Sequence, residues 1–201
     1  MTPWRVALTF DVEHSDRPST PGGTDRLLDA LAAADVTATL FVQGRWAEAE
    51  PATAARIGSS GHLIGSHSHY HVRMTLLTDA GIAEDLRDAQ AALSEACGTE
   101  TRPWFRCPFG AGADDPRVLA AVAAAGYRDV GWDVDGEDWR VARDAEGLET
   151  DIVAGTIARG DGAVVLLHGW PDPTPVALPG IVARLRDAGA SFVRVDELLG
   201  A

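Results

Sequence analysis

The run WRVALTF, residues 4–10, is apolar and rich in strand-forming residues, and it ends directly before Asp11. Strands buried on both faces read as continuous apolar runs rather than as an alternation of polar and apolar residues. Runs of the same type recur at 36–42, 62–67, 103–107, 127–132, 163–168 and 191–195. The pattern therefore predicts seven buried strands.

Helical patterns lie between these runs, which is the order expected of a parallel α/β fold. Residues 24–35 begin at Thr24, an N-cap type of residue, and bring Leu27, Leu28 and Leu31 to one face. Four further helices are predicted, each ending at a glycine suited to a C-cap, at 79–98, 115–126, 149–160 and 180–189. Both an open doubly wound sheet and a closed or nearly closed barrel satisfy this alternation.

Reactive side chains stand at or just beyond the carboxyl ends of the predicted strands, and these are Asp11, His67, Arg106, Asp135 and His168. In a β/α barrel those ends meet at one mouth, where active sites are built. The sequence contains no glycine-rich dinucleotide fingerprint after the first strand and no phosphate-binding P-loop, so nucleotide-binding versions of the fold lose support. The positions of the reactive residues favour the barrel.

Bulk composition predicts one globular domain over residues 1–201, since 46% of the residues are apolar and no long linker interrupts the chain. Seventeen basic against thirty acidic residues give a net charge of −13, which argues against a nucleic-acid or anionic membrane surface. The oligomeric state stays open.

Neither a leader peptide nor a membrane span is recognisable in the sequence. We therefore expect a cytoplasmic location for the chain as given, with secretion open if a leader was removed. Cys97 and Cys107 are too few for a disulfide framework, and two free, buried thiols are predicted instead.

The stretch GSHSHYH, residues 65–71, carries three histidines at alternate positions. On a strand all three would share a face, whereas on a helical turn only His67 and His71 would point the same way. Because the preceding strand is expected to end near Ser66, we predict a helical turn over 67–71, with Ser68 holding it through a hydrogen bond. Two imidazoles that converge form half of a site for a metal such as zinc, although a histidine-rich surface loop is the alternative.

Hard ligands follow the first strand, where TFDVEH offers Asp11, Glu13 and His14. If the pleat of the strand continues, Asp11 and Glu13 share a face while Val12 points the other way. One carboxylate could then bind a metal while the other takes a proton from an activated water. A strand-end turn with solvated acids is the alternative.

The segments TFD, HSHYH, RCPFG, DGEDW and LLH, in this order, resemble the five motifs of the polysaccharide deacetylase family, also described as the NodB-homology domain or carbohydrate esterase family 4. The resemblance spans about residues 7–196, and ATLFVQG (38–44) is similar to the second strand of the family. It implies a distorted, incomplete (β/α) barrel and one divalent metal ion, Zn²⁺ in the first place, with Co²⁺, Ni²⁺ or Mn²⁺ as alternatives.

The resemblance also implies the roles of individual residues. Asp11 matches the catalytic base, His168 the general acid and Arg106 the charge beside the base. Asp135 resembles the acid that tunes His168, and Asp138 is the alternative for that role. The residues matched to the metal are His67 and His71. The substrate pocket would be lined by Trp139, Leu166, Pro108, Phe109 and Asp138.

One departure from the family pattern affects the metal site. The common pattern has two consecutive aspartates, the second of which binds the metal, and here that second position is Val12. Valine offers no ligand atom. We therefore predict that Glu13 supplies the third ligand, with His14 as the second candidate.

These features predict a metal-dependent hydrolase of C–N amide bonds, in which metal-activated water attacks with Asp11 as base and His168 as acid. The first substrate is an N-acetylated sugar or oligosaccharide. The same chemistry on a small amide, imide or ureide is the second hypothesis. The third, from a different class, is a catalytically inactive, glycan-binding pseudoenzyme.

Overall fold

The computed structural model describes residues 4–200, which form eight β-strands and eight α-helices. Its contacts divide the chain into two compact units. Unit 1 comprises the described parts of Met1–Asp11, Ser15–Thr39 and Trp132–Ala201. Unit 2 comprises Val12–His14 and Leu40–Gly131.

Unit 1 is built on parallel strands. Its elements are β1 (Trp4–Val12, up to Asp11), α1 (Gly23–Ala33), β6 (Val134–Asp135), α6 (Ala145–Arg159), β7 (Ala163–His168), α7 (Pro173–Asp187), β8 (Ala190–Phe192) and α8 (Val195–Leu199). Strand β1 pairs in parallel with β7 and with β8, and β7 pairs in parallel with β6. Strand β6 is therefore an edge strand.

The apolar run that predicted β1 is buried on both faces, since every residue from Val6 to Phe10 lies in the interior. Thr9 is tolerated there because its hydroxyl donates to the Val165 carbonyl at 2.6 Å. Helix α7 contributes Leu178, Ile181 and Leu185 to the same interior. The pairing of β1 with β7 continues to Asp11, near the carboxyl end of β1.

Unit 2 has the same alternation. Its elements are β2 (Thr39–Val42, from Leu40), α2 (Gly44–Ala49), α3 (Pro51–Gly58), β3 (Leu63–Ser66), α4 (Asp79–Cys97), β4 (Trp104–Phe105), α5 (Pro116–Ala124) and β5 (Arg128–Asp129). Strand β3 pairs in parallel with β4, and β4 pairs in parallel with β5. The strand order in this unit is β5-β4-β3-β2, so β5 is the edge strand. Short 3₁₀ turns at Met74–Leu76 and Pro108–Gly110 precede α4 and α5.

An apolar cluster of unit 2 lies between α4, α5 and the strands, and it contains Met74, Ile82, Leu86, Phe105, Cys107, Val118, Val122 and Tyr127. Cys107 is therefore part of the core. Both cysteines are free and buried, as predicted.

The predicted fold class is confirmed: the chain is an α/β protein of the incomplete (β/α) barrel class with parallel strands. All seven predicted strands are present, and β6 is an additional one. The predicted N-cap of α1 is wrong, because α1 begins at Gly23 after an N-cap at Gly22. Thr24 does not cap the helix. Its hydroxyl donates instead to the Gly169 carbonyl at 3.3 Å.

Helices long and apolar enough to cross a membrane are absent from residues 4–200.

Candidate functional site

Three ligand-type side chains of unit 2 converge, and they are Glu13, His67 and His71. Their ligand atoms all lie within 4.8 Å of one another. Glu13 Oε2 is 3.3 Å from His67 Nε2 and 2.5 Å from His71 Nε2. Two imidazole nitrogens and a carboxylate oxygen form a donor set that zinc and related divalent ions bind, so the residues present fit such an ion. We call these residues the three-ligand cluster.

The ring of His67 is oriented by a backbone group. Its Nδ1 lies 3.0 Å from the Arg106 carbonyl oxygen, and because a carbonyl only accepts, Nδ1 is the donor. Nε2 is then the nitrogen that faces Glu13. Metal-binding histidines in general donate their second ring N–H in this way.

The turn that brings the two histidines together is not helical, contrary to the prediction for 67–71. Ser68 and His71 have φ of 64° and 57°, in the left-handed region. The predicted role of Ser68 is confirmed, since its Oγ accepts from the His71 N–H at 2.8 Å. His67 and His71 therefore meet through an irregular turn, with ring centroids 4.9 Å apart.

The backbone groups of this turn bind to neighbouring elements, which explains why no helix forms. The carbonyls of Ser68 and His69 accept from Gly44 and Arg45 at the start of α2. The N–H groups of His69 and Tyr70 donate to the buried Asp85 carboxylate of α4, at 2.9 and 3.1 Å. Burial raises the pKa of Asp85, although the two N–H donors oppose that rise.

Glu13 is buried, which by itself would raise its pKa. Hydrogen bonds and charge from His67 and His71 outweigh burial and hold the pKa of Glu13 well below its usual value of 4.5. The carboxylate is therefore ionised, which is the state that binds a metal ion. His14, the second candidate, lies outside the three-ligand cluster, with its Nδ1 3.0 Å from Gln43 Oε1.

Arg106 lies fully buried in unit 2. Its Nε donates to the Val130 carbonyl at 2.9 Å and its Nη2 to the Gly131 carbonyl at 3.2 Å. The guanidinium carbon also lies 4.2 Å from the centre of the Phe41 ring. These contacts hold the guanidinium in the interior of unit 2, and the role of Arg106 as the charge beside the base stays a prediction.

Two predicted pocket residues, Pro108 and Phe109, follow directly in a 3₁₀ turn. Pro108 is buried, whereas Phe109 is 57% exposed and has a left-handed φ of 58°. The centre of the Phe109 ring lies 4.4 Å from that of His71, and the Arg73 guanidinium covers it at 4.6 Å. Of the two, Phe109 therefore presents a surface beside the three-ligand cluster.

Unit 1 holds the predicted base and acid. Asp11 of β1 and His168 of β7 are opposite one another in the register of these parallel strands. The Gly169 N–H donates to the Asp11 carbonyl at 2.9 Å and continues the ladder past His168. Asp11 is buried and His168 is half-buried. The pairing explains how two residues far apart in sequence become neighbours.

Asp138 is the carboxylate that binds His168. Its Oδ1 lies 2.7 Å from His168 Nδ1, and its Oδ2 accepts the His168 backbone N–H at 2.8 Å. Thr174 of α7 donates to the same Oδ2 at 2.6 Å. Asp135, the first assignment for this partner, is exposed and accepts the Glu137 N–H instead. The contact with His168 is therefore corrected from Asp135 to Asp138.

The other predicted pocket residues of unit 1 lie in different surroundings. Trp139 is 39% exposed, and the Arg140 guanidinium lies 5.7 Å from the centre of a Trp139 ring. Leu166 is buried within β7, opposite Asp135 of β6. Asp138 is completely buried, so its place is behind His168 rather than on an exposed surface.

Sequence reasoning missed three residues that position the site, namely Asp85, Thr174 and Gln43. Asp85 left a signal, because it occupies a core-facing position of α4 between Ile82 and Ala89, where an apolar residue is expected. No sequence pattern pointed to Thr174 or Gln43, since the residues that they bind are distant in sequence.

A family model described as polysaccharide deacetylase matches residues 2–130. A peptidoglycan-N-acetylglucosamine deacetylase of Listeria monocytogenes is 34% identical over 202 residues, which cover 98% of this chain and 39% of the relative. The chain thus spans well under half of that protein.

Solved structures show the same likeness. A family 4 carbohydrate esterase from Streptomyces lividans, in complex with acetate, is 30% identical, with a TM-score of 0.82 over 96% of this chain and 93% of the other. A CE4 family pseudoenzyme from Bacillus anthracis is 26% identical, with a TM-score of 0.86 over 98% of this chain and 66% of the other.

Proposed function

This chain belongs to the polysaccharide deacetylase family, and from that membership we propose that it is a metal-dependent hydrolase that removes the acetyl group of an N-acetylated sugar. The observation that carries the proposal is the three-ligand cluster, in which Glu13 takes the place of the missing second aspartate. The similar proteins support the substrate class, because one is named for N-acetylglucosamine and another was solved with acetate. Residues 1–201 would act as one catalytic domain.

Glu13, His67 and His71 would hold the metal ion, Zn²⁺ in the first place, with Co²⁺, Ni²⁺ or Mn²⁺ as alternatives. Such an ion supplies Lewis acidity toward the amide carbonyl and the attacking water. The His67 ring is already held by the Arg106 carbonyl, and the backbone of the turn that carries His71 is held by Ser68 and Asp85, so the two histidines need little rearrangement on binding.

Asp11 would take one proton from the attacking water as the new C–O bond forms. His168 would give a proton from Nε2 to the nitrogen as the C–N bond breaks, because without that proton the leaving group would be an amide anion, which is a very poor leaving group. Asp138 would hold Nδ1–H and stabilise the cationic ring before that transfer. The products are acetate and a free amine. Loss of either the acid or the base in such a reaction costs about 10²–10⁴-fold in rate.

The pseudoenzyme hypothesis has a specific observation behind it, since a structural neighbour is a CE4 family pseudoenzyme. Against it, this chain retains a complete three-ligand cluster together with Asp11 and the His168–Asp138 pair. An inactive site has no chemical need for an acid, a base and ligands at once. We therefore keep hydrolysis as the proposed function.

The test measures metal content and acetate release together. Chelator-treated protein is reloaded with Zn²⁺ and dialysed, and acetate release is followed on chito-oligosaccharides for wild type, Glu13→Ala and Glu48→Ala. Glu48 is the matched control because it is a half-exposed glutamate outside the three-ligand cluster. We expect one metal per chain and acetate release for wild type and Glu48→Ala, and loss of both for Glu13→Ala.

Other outcomes would redirect or overturn the proposal. A wild type that binds no added metal overturns metal-dependent hydrolysis. Metal binding without acetate release, but with opening of a cyclic imide or ureide, moves the substrate to small amides. Metal binding without hydrolysis of any of these substrates supports the pseudoenzyme. Full occupancy in Glu13→Ala removes Glu13 from the metal site.

A further inference from the structure

Glu13 stands one residue beyond the position at which the family pattern carries its metal-binding aspartate. Successive side chains of an extended segment point to opposite sides, so a ligand displaced by one residue needs the end of the strand to be held in a particular conformation. His14, the next residue, is itself a ligand type and is exposed. Something must therefore decide which of the two side chains joins His67 and His71.

Gln43 contacts the chain on both sides of Glu13. Its backbone N–H donates to the Val12 carbonyl at 2.9 Å. Its side-chain Oε1 accepts the His14 backbone N–H at 3.1 Å and lies 3.0 Å from His14 Nδ1. Because a backbone N–H can only donate, the amide is oriented with its oxygen toward His14. The three contacts enclose one residue, Glu13.

Burial adds to the effect of these contacts. Gln43 is only 5% exposed, so its amide oxygen competes little with water for the His14 donors. The side chain also cannot move aside easily, because Gln43 lies between β2 and α2, and its own carbonyl accepts from Ala47 of α2. The Val12–His14 backbone is thus bound to a rigid part of unit 2.

We propose, building on the metal site proposed above, that Gln43 is a positioning residue which holds Glu13 in the three-ligand cluster and keeps the His14 ring bound outside it. Gln43 acts through the backbone at Val12 and His14 and touches neither ligand nor substrate. Partners of this kind, which orient ligands without binding the metal, typically change metal affinity by about 10–100-fold when they are removed.

If Gln43 had a purely structural role, its loss would affect metal affinity only through stability. The chain offers a matched control for that alternative. Gln90 of α4 is also a glutamine of unit 2 that binds a backbone N–H, since its Oε1 accepts from Thr101 N at 3.1 Å and from Thr101 Oγ1 at 2.6 Å. Thr101 is not part of the three-ligand cluster. Loss of the Gln90 contact should cost stability and leave the metal site alone.

The experiment is a Co²⁺ titration of the metal-free full chain, followed by the visible absorption of the bound ion. Gln43→Met and Gln90→Met are compared with wild type, since methionine keeps the side-chain length and removes the acceptor. We expect Gln43→Met to bind Co²⁺ about 10–100-fold more weakly than wild type. The Co²⁺ affinity of Gln90→Met should stay within about threefold of wild type, even if the Tm of both variants falls by the same amount.

Two further variants keep the test decisive if Gln43→Met is unstable. Gln43→Glu keeps an acceptor oxygen and should bind Co²⁺ within about threefold of wild type. His14→Ala should also stay within about threefold, because the backbone N–H that Gln43 holds is still present. Loss of affinity in His14→Ala as large as that in Glu13→Ala would make His14 a ligand and overturn the inference.

The outcomes separate this inference from the proposed function. If wild type binds no Co²⁺, the metal site fails and the role of Gln43 fails with it. If wild type binds Co²⁺ and Gln43→Met binds it equally well, only the role of Gln43 is overturned. Equal losses in Gln43→Met and Gln90→Met would show a general effect of stability, which also overturns it.

Discussion

Asp138 holds His168 at two points at once, through the ring Nδ1 at 2.7 Å and through the backbone N–H at 2.8 Å. A single carboxylate therefore fixes both the position of the residue and the orientation of its ring. Thr174 in turn orients the carboxylate from α7, at 2.6 Å. Of the two aspartates near the end of β6, Asp138 is therefore the one whose carboxylate orients the His168 ring.

Replacement of Asp138 by asparagine should reduce kcat/KM for acetate release by about 10²–10⁴-fold, the range for loss of an acid or base function. The amide keeps the shape of the side chain, but it no longer stabilises a cationic ring and can present an N–H to Nδ1. Steady-state kinetics over a range of pH measures the effect. Asp135→Asn is the control, because Asp135 binds the Glu137 N–H instead, and its kcat/KM should stay within about threefold of wild type. A larger loss in Asp135→Asn than in Asp138→Asn would return the role to Asp135.

The metal-free protein should lose stability in acid partly through Glu13. The pKa of Glu13 in the folded state is below its usual value of 4.5, so its ionised form stabilises the fold above pH 4.5, and this contribution is lost as the pH falls below that value. Glu13→Gln lacks the titrating group and should show a smaller fall in Tm between about pH 6 and pH 3. Thermal unfolding of both proteins in the presence of chelator makes the comparison. Glu48→Gln, at a half-exposed position, should follow wild type, and a Glu13→Gln curve parallel to wild type would contradict the prediction.

Gly44 should not tolerate a side chain. A Cβ at this position would overlap His69 Nδ1 and lie 3.2 Å from the Cα of Ala89, which is backbone and cannot move alone. We expect Gly44→Ala to lower the free energy of unfolding by about 1–3 kcal/mol, the usual cost of overpacking. Chemical denaturation measures it. Gly131→Ala, where a new Cβ meets nothing within 4 Å, should change stability by less than about 0.5 kcal/mol. Equal stability of the two variants would mean that His69 moves freely.

The strands were predictable because burial of both faces leaves a direct trace in composition. The run at 163–168 matches β7 residue for residue, whereas the runs at 103–107 and 127–132 shrink to the two-residue strands β4 and β5. An apolar run indicates which residues are buried, and the buried segment is longer than the part that forms hydrogen bonds within the sheet. The short helices α2 and α3 were missed because six and eight residues are too few to establish a helical period.

The convergence of the three-ligand cluster was predictable, but the conformation that brings its histidines together was not. His67 and His71 do converge, but through left-handed backbone at Ser68 and His71. That conformation is stabilised by Gly44, Arg45 and Asp85, none of which is local in sequence. The choice between Asp135 and Asp138 likewise depended on Thr174, which is 36 residues away from its partner Asp138. Local patterns identify candidates, and tertiary hydrogen bonds decide among them.

The burial of both cysteines in unit 2 makes the chain its own unfolding reporter. Burial raises the pKa of Cys97 to about 11 and raises that of Cys107 further, so neither thiol is reactive at neutral pH while unit 2 is folded. Unit 1 contains no cysteine among its residues. The rate of thiol labelling therefore measures the opening of unit 2 alone. Tryptophan fluorescence reports on both units, because four of the six tryptophans lie in unit 1, at positions 4, 132, 139 and 170, and two lie in unit 2, at positions 46 and 104. Identical denaturation midpoints for the two signals would be the behaviour of one cooperative domain.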